Sequence, residues 1–196
     1  MAPFTLQNRF LLRLYTWRKK WRPSPPFSLP VALRQTGRLL ICFPDEPEEA
    51  LTAVAVLPDL MDSLGAESAL VIGAPSVGDR LRERPSSVET ETVGPTDLSW
   101  TGFPRKELIR RISGYAPDVA IDLNPVLNPV IGVLCKLSGA PVRICFEGPQ
   151  RDLFFNLQIV MTLDGQDVPA TVPERSITNP YARLPNTLRR LAGHVS

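Results

Sequence analysis

Four acidic side chains follow one of the most apolar runs in the chain, residues 39–43. They are Asp45, Glu46, Glu48 and Glu49. A carboxylate just after a buried strand can act as a general base, and paired carboxylates can bind a hard cation. No histidine or further acid is patterned near these two pairs, so a solvated loop is the simpler interpretation. Glu48 and Glu49 could also stabilise the start of a helix through its dipole.

A fifth acid, Asp122, lies within the apolar run 118–123. It could line a ligand-binding crevice at the carboxyl end of a sheet, where α/β proteins bind their ligands. A role in a turn or a helix cap is an equal alternative. The single histidine, His194, lies close to the end of the sequence, where a frayed tail is expected.

The three cysteines, Cys42, Cys135 and Cys145, all lie in apolar runs and show no CxxC spacing. An odd number without that spacing argues against a disulfide framework and against zinc. We therefore expect buried free thiols in a reducing cytoplasm. No GxGxxG or Walker A motif is present, and we expect no cofactor.

Residues 5–22 predict an amphipathic helix, and residues 1–30 form a basic segment that ends in a Pro-rich linker. Eight Lys and Arg precede residue 45 and no acid does, although the whole chain carries only +2. This pattern is typical of an interfacial helix that binds a membrane surface or a protein; a core-packing helix is the alternative, and nucleic acid is disfavoured. The expected contact residues are the apolar Phe10, Leu14, Trp17 and Trp21 and the flanking Arg9, Arg13, Arg18 and Lys20.

From residue 38 onward, apolar strand patterns alternate with helical patterns, which predicts βαβ units. The expected fold is a single Rossmann-like α/β three-layer sandwich with a mostly parallel sheet. The apolar segment 152–159 is expected in the core, with a contact patch as the alternative. Strands are predicted at 39–43, 68–73, 88–93, 118–123, 141–146 and 156–163, and helices at 47–64, 104–113, 126–138 and 179–191.

Three segments carry a resemblance to a known family. They are RLLICFPDEPEEALTAVAVLPDLMDSLGAESALVIG, ELIRRISGYAPDVAIDLNPVLNPVIGVLCKLSGAPVRICF and NPYARLPNTLRRLAG. In order and spacing they resemble the N-terminal domain of the heptosyltransferases, glycosyltransferase family 9, which have the two-domain GT-B fold. The resemblance implies one such domain over residues 38–193.

The chain departs from the family at positions that matter for activity. The family has Gly-Asp after its first strand, with the Asp as expected base, whereas this chain has Glu48 and Glu49. Glu49 is therefore the candidate base if the chain is active. The lost glycine removes the close backbone approach of a substrate, and a family RIG motif stands here as Arg143-Ile144-Cys145. The sequence also stops where the family's donor-binding domain is expected.

These departures favour a non-catalytic, degenerate glycosyltransferase-like domain that serves as an accessory subunit of a membrane-surface or multi-protein assembly. The alternative is the acceptor-binding half of a split glycosyltransferase completed by a partner chain, and a third option is a Rossmann-like ligand-binding module. A protein partner is expected, whereas a small-molecule substrate is an open alternative. We expect a cytoplasmic location, either free or on the cytoplasmic membrane face, because no signal peptide or membrane-spanning run is recognised.

Overall fold

The computed structural model describes residues 28–73, 86–160 and 181–193. Over these residues the chain forms a Rossmann-like α/β sandwich, which confirms the predicted fold class. The predicted helix at residues 5–22 lies outside the described residues, as does His194. The strands are β1 (Arg38–Cys42), β2 (Ser68–Gly73), β3 (Val88–Thr92), β4 (Val119–Asp122), β5 (Val142–Phe146) and β6 (Leu157–Ile159). The helices are α1 (Leu29–Arg34), α2 (Pro47–Leu64), α3 (Lys106–Tyr115), α4 (Pro129–Leu137) and α5 (Leu184–Leu191), with single 3₁₀ turns at Pro95–Asp97 and Arg151–Leu153.

The six strands form one parallel sheet in the order β3-β2-β1-β4-β5-β6. The chain first winds outward from β1 to β3, then returns to the centre and winds the other way from β4 to β6. The direction of winding therefore reverses between β1 and β4. These two strands pair in register, so Cys42 and Asp122 lie side by side at their carboxyl ends.

The central strands are buried because helices cover both faces of the sheet. Side chains alternate along β1, which sends Leu39 and Ile41 into one core and Leu40 and Cys42 into the other. The first core packs the sheet against α1, α2 and α5, and the second packs it against α3 and α4. Leu33 of α1 is fully buried in the first core, although the sequence predicted no element there.

Helix α2 has the predicted bounds because its end signals are local. Proline occupies its first turn, and Gly65 ends it in the left-handed conformation at φ 64°. Three other helices begin later than predicted, and the last of them, α5, starts only at Leu184 instead of residue 179. Pro104 bridges to Leu98, so α3 starts only at Lys106. The Asn128 side chain accepts hydrogen bonds from the first turn of α4, which therefore begins at residue 129.

Both outer strands of the sheet have features that suit an edge. Among the described residues, β3 pairs only with β2 and β6 pairs only with β5. The sequence of β3 is VETET, with Glu89 exposed and Glu91 bound to Arg111 at 2.9 Å. Strand β6 has three residues and ends at Ile159, short of the predicted 163.

Candidate functional site at the carboxyl ends of β1 and β4

The loops that follow β1, β4 and β5 meet where the winding of the sheet reverses. This is the position at which open α/β sheets bind their ligands. The loop after β4 is joined to β1 by the backbone N–H of Leu123, which donates to the carbonyl oxygen of Cys42 at 2.9 Å. The Asn124 side-chain amide contacts the carbonyl oxygen of Phe43 at 3.4 Å. One backbone hydrogen bond and one side-chain contact therefore hold the loop after β4 against the end of β1.

A buried polar cluster occupies this position, and we call Asp122, Asn124 and Arg151 the Asp122 cluster. Asp122 is 1% exposed, and its Oδ1 accepts from the backbone N–H of Asn124 at 3.0 Å and from its Nδ2 at 2.6 Å. Arg151, also 1% exposed, lies with Nη1 3.6 Å from Asp122 Oδ2. These two atoms form an ion pair that is longer than a hydrogen bond. Neither has a hydrogen-bond partner among the described residues.

Arg151 also links separate loops. Its Nη2 donates to the carbonyl oxygens of Asn124 at 2.9 Å and of Pro125 at 2.8 Å. The side chain comes from the 3₁₀ turn after β5, so it ties that loop to the loop after β4. Gly148 passes so close that an added Cβ would lie 3.0 Å from Arg151 Nε. A larger residue at this position would require the arginine side chain to shift by a few tenths of an ångström.

The electrostatics of Asp122 follow from its burial. Desolvation raises the pKa of the carboxyl. The hydrogen bonds from Asn124 and the charge of Arg151 lower it by a smaller amount, and the resulting pKa is about 6. The carboxylate of Asp45 adds a smaller upward effect. Asp122 is therefore a weaker acid than an ordinary aspartate. It is enclosed by protein and forms an ion pair with the buried Arg151.

Asp122 gives the stability of the domain a defined pH dependence. Its folded pKa of about 6 exceeds that of an unfolded aspartate, so the folded chain holds the proton more tightly. The resulting contribution to the free energy of unfolding is full below the unfolded pKa and is lost as the pH rises through about 6. From about pH 5 to about pH 7.5 we expect a loss of about 1 kcal/mol. Urea titrations at several pH values measure it, and a free energy that rises over this window would contradict the assignment.

The acids after β1 lie at the same edge of the sheet but differ in exposure. Asp45, Glu46 and Glu48 are exposed, which fits the solvated interpretation. Asp45 also accepts a hydrogen bond from Asn128 Nδ2 at 3.1 Å, which joins the loop after β1 to the start of α4. Glu49 is half-buried in the first turn of α2, and burial, followed by the charge of Glu46, raises its pKa.

Glu49 and Asp122 are brought near a common neighbour, Tyr181. Its side chain is buried against the ring of Phe146, with ring centroids 5.8 Å apart. Burial raises the pKa of the Tyr181 hydroxyl most, and the charges of Glu49 and Asp122 raise it further. The two sequence-predicted acids therefore lie at one edge of the sheet, one reachable by solvent and the other enclosed.

The three cysteines are buried free thiols, as predicted. Cys42 and Cys135 lie with their sulfur atoms 3.6 Å apart in the second core. The hydrogen bond to Cys135 and burial raise the pKa of the Cys42 thiol, and burial raises that of Cys145 to about 12. Among residues 28–73, 86–160 and 181–193, no group of three or more His, Cys, Asp or Glu side chains is placed to hold a metal ion.

The sequence pattern named Asp122 for this region as one of two equal alternatives, and it did not identify Asn124 or Arg151. Arg151 was given no role on sequence grounds, whereas it is one of the most deeply buried large side chains. The available signal was its place immediately before the apolar run that holds Phe154 and Phe155, both buried. The eight predicted contact residues of the N-terminal helix lie outside the described residues.

Comparison of the chain with protein-family models, curated proteins and solved structures finds no match.

Proposed function

We propose that this domain is a non-catalytic, degenerate glycosyltransferase-like domain that serves as an accessory subunit of a membrane-surface or multi-protein assembly. The observation that carries this proposal is the Asp122 cluster. The position where an α/β sheet normally opens to a ligand is filled by a buried carboxylate and guanidinium. An Asp122 that is 1% exposed has no access to a substrate hydroxyl.

Opening the cluster to admit a substrate would be costly. Arg151 donates to two carbonyl oxygens of the loop after β4 and neutralises Asp122. Separating these groups inside the protein would leave an unpaired buried charge, which costs several kcal/mol. The cluster is therefore better suited to holding the loops together permanently than to opening in each catalytic cycle.

The alternative is the acceptor-binding half of a split heptosyltransferase-like glycosyltransferase, with Glu49 as general base. One observation favours it: Glu49 is half-buried, accessible to solvent and has a raised pKa. A raised pKa makes a carboxylate a stronger base at neutral pH. A partner chain would have to supply the donor-binding half.

The two functions are separated by an assay of nucleotide release from nucleoside diphosphate sugars. The full chain is tested alone and with the proteins that co-purify with it, as wild type, Glu49→Gln and Glu48→Gln. Glu48 is the matched control because it is an exposed acid in the same helical turn. We expect no release that depends on Glu49. Release that falls by about 100-fold or more in Glu49→Gln, but not in Glu48→Gln, would overturn the proposal in favour of the split enzyme.

Purification from the source cell under native conditions tests the assembly directly. We expect stoichiometric partners from a membrane or multi-subunit assembly without sugar chemistry. A stoichiometric partner with a nucleotide-sugar-binding domain would instead support the alternative. Neither function depends on a membrane-spanning helix, and the described part of the chain contains none long and apolar enough to cross a bilayer.

A further inference from the structure

Trp100 is exposed to an unusual degree for a large aromatic side chain. It is 88% exposed, the most of any large hydrophobic side chain among the described residues. Tryptophan carries a large apolar surface and a polar N–H, a combination that favours interfaces. It lies in the turn of residues 99–102, between the 3₁₀ turn Pro95–Asp97 and α3. We call residues 99–102 the Trp100 turn.

Hydrogen bonds within the Trp100 turn and between its flanking residues hold it in place. The backbone N–H of Gly102 donates to the carbonyl oxygen of Ser99 at 2.8 Å, and that of Ser99 donates to Phe103 at 2.8 Å. The Ser99 hydroxyl accepts from the backbone N–H of Phe103 at 3.1 Å. Below the turn, Leu98 and Pro104 form an antiparallel bridge. The fold therefore holds Trp100 at the tip of an ordered turn, which lowers the entropic cost of binding through it.

Uncharged and charged residues occupy separate parts of this segment. The tip consists of Ser, Trp, Thr and Gly, so no ionised group has to leave water when the tip is buried. The exposed cations Arg105 and Lys106 follow the turn in sequence and outnumber the one exposed acid beside them, Glu107. The nearby acid Asp97 is already bound by Arg111 at 3.1 Å. An uncharged aromatic tip backed by cations matches the membrane interface, where aromatic rings sit at headgroup level and cations attract anionic lipid.

We infer that the Trp100 turn is a lipid-contact site that inserts Trp100 into the headgroup region of an anionic membrane, with Arg105 and Lys106 on lipid phosphates. The inference rests on the membrane-surface part of the proposed function and adds a contact within the folded domain itself. A single exposed indole needs no complementary pocket on a bilayer, whereas a protein partner would have to provide one. If the predicted N-terminal helix also binds the membrane, a second contact point would fix the orientation of the domain on it.

The test uses the intrinsic fluorescence of the full chain. The chain has three tryptophans, so the Trp17→Phe/Trp21→Phe variant leaves Trp100 as its single reporter. The probes are vesicles of phosphatidylcholine, with or without phosphatidylserine. We expect the emission of Trp100 to shift to shorter wavelength and to be quenched by brominated lipid chains only when phosphatidylserine is present. High salt should reverse both changes.

Substitutions give the expected magnitudes in a vesicle co-sedimentation assay. Trp100→Ser should weaken partitioning by about tenfold, and Lys106→Gln should weaken it by about fivefold. The matched control is Arg190→Gln. Arg190 is an exposed cation on α5, and α5 packs against the face of the sheet opposite to α3. It should weaken partitioning much less than Lys106→Gln.

Three outcomes would overturn the inference, and they bear differently on the proposed function. If the chain sediments with vesicles while Trp100 emission stays unchanged, the turn makes no lipid contact but membrane attachment survives. If the chain binds neither type of vesicle, both the lipid-contact site and the membrane-surface part of the proposed function fail. If the emission shifts with a co-purified protein and never with lipid, the turn is a protein-docking site.

Discussion

Replacing Arg151 by methionine should lower the free energy of unfolding by about 3–5 kcal/mol. The substitution keeps an unbranched apolar stem but removes the guanidinium. Asp122 would then be a buried carboxylate without a counter-charge, and the carbonyl oxygens of Asn124 and Pro125 would lose their donor. Denaturant titration by circular dichroism measures the loss.

The matched control for this variant is Arg110→Met, an exposed arginine on α3. It should change the free energy of unfolding by no more than about 0.5 kcal/mol. The double variant Asp122→Asn/Arg151→Met should be more stable than the sum of its two single changes predicts, because it removes both buried charges. Equal losses in Arg151→Met and Arg110→Met would show that the internal ion pair does not hold the loops.

Gly132→Ala should destabilise the domain by about 1–3 kcal/mol, although alanine is the better helix former. Gly132 lies in α4 directly against the ring of Phe154, which is buried. An added Cβ would lie 2.7 Å from Cδ2 and 2.8 Å from Cγ of that ring. The ring or the helix would have to move within a closely packed core.

Gly114→Ala is the control with the opposite expected sign. Gly114 lies in α3, is exposed, and an added Cβ would meet nothing within 4 Å. The change should stabilise the domain by about 0.5–1 kcal/mol through helix propensity alone. Thermal unfolding of both variants compares the two effects. If both glycine variants gain stability, the close packing of α4 on Phe154 is refuted.

The fold could be predicted because its signals are local. Proline at the start of α2 and glycine at its end gave both bounds, and the unbroken apolar run of β1 indicated a strand covered on both faces. The apolar segment at 152–159 was also correctly expected in the core, where Leu153, Phe154 and Phe155 are buried.

The candidate site could be predicted only in part, because its contacts join distant parts of the chain. Asp122 was located at the end of its strand by pattern, but its burial depends on a side chain 29 residues away in sequence, Arg151. An arginine in a turn is normally exposed, so composition alone favoured the wrong environment. The exposed position of Trp100 was not anticipated either, since an isolated tryptophan has no periodic pattern.

The two outer strands also determine how the domain can associate. Strand β3 carries Glu89 on its exposed edge, so two copies meeting there would bring like charges together. Strand β6 is only three residues long, which gives an incoming strand few groups to pair with. Within the described residues both edges of the sheet therefore disfavour an added strand, so we expect a larger assembly to form through side-chain surfaces of the domain.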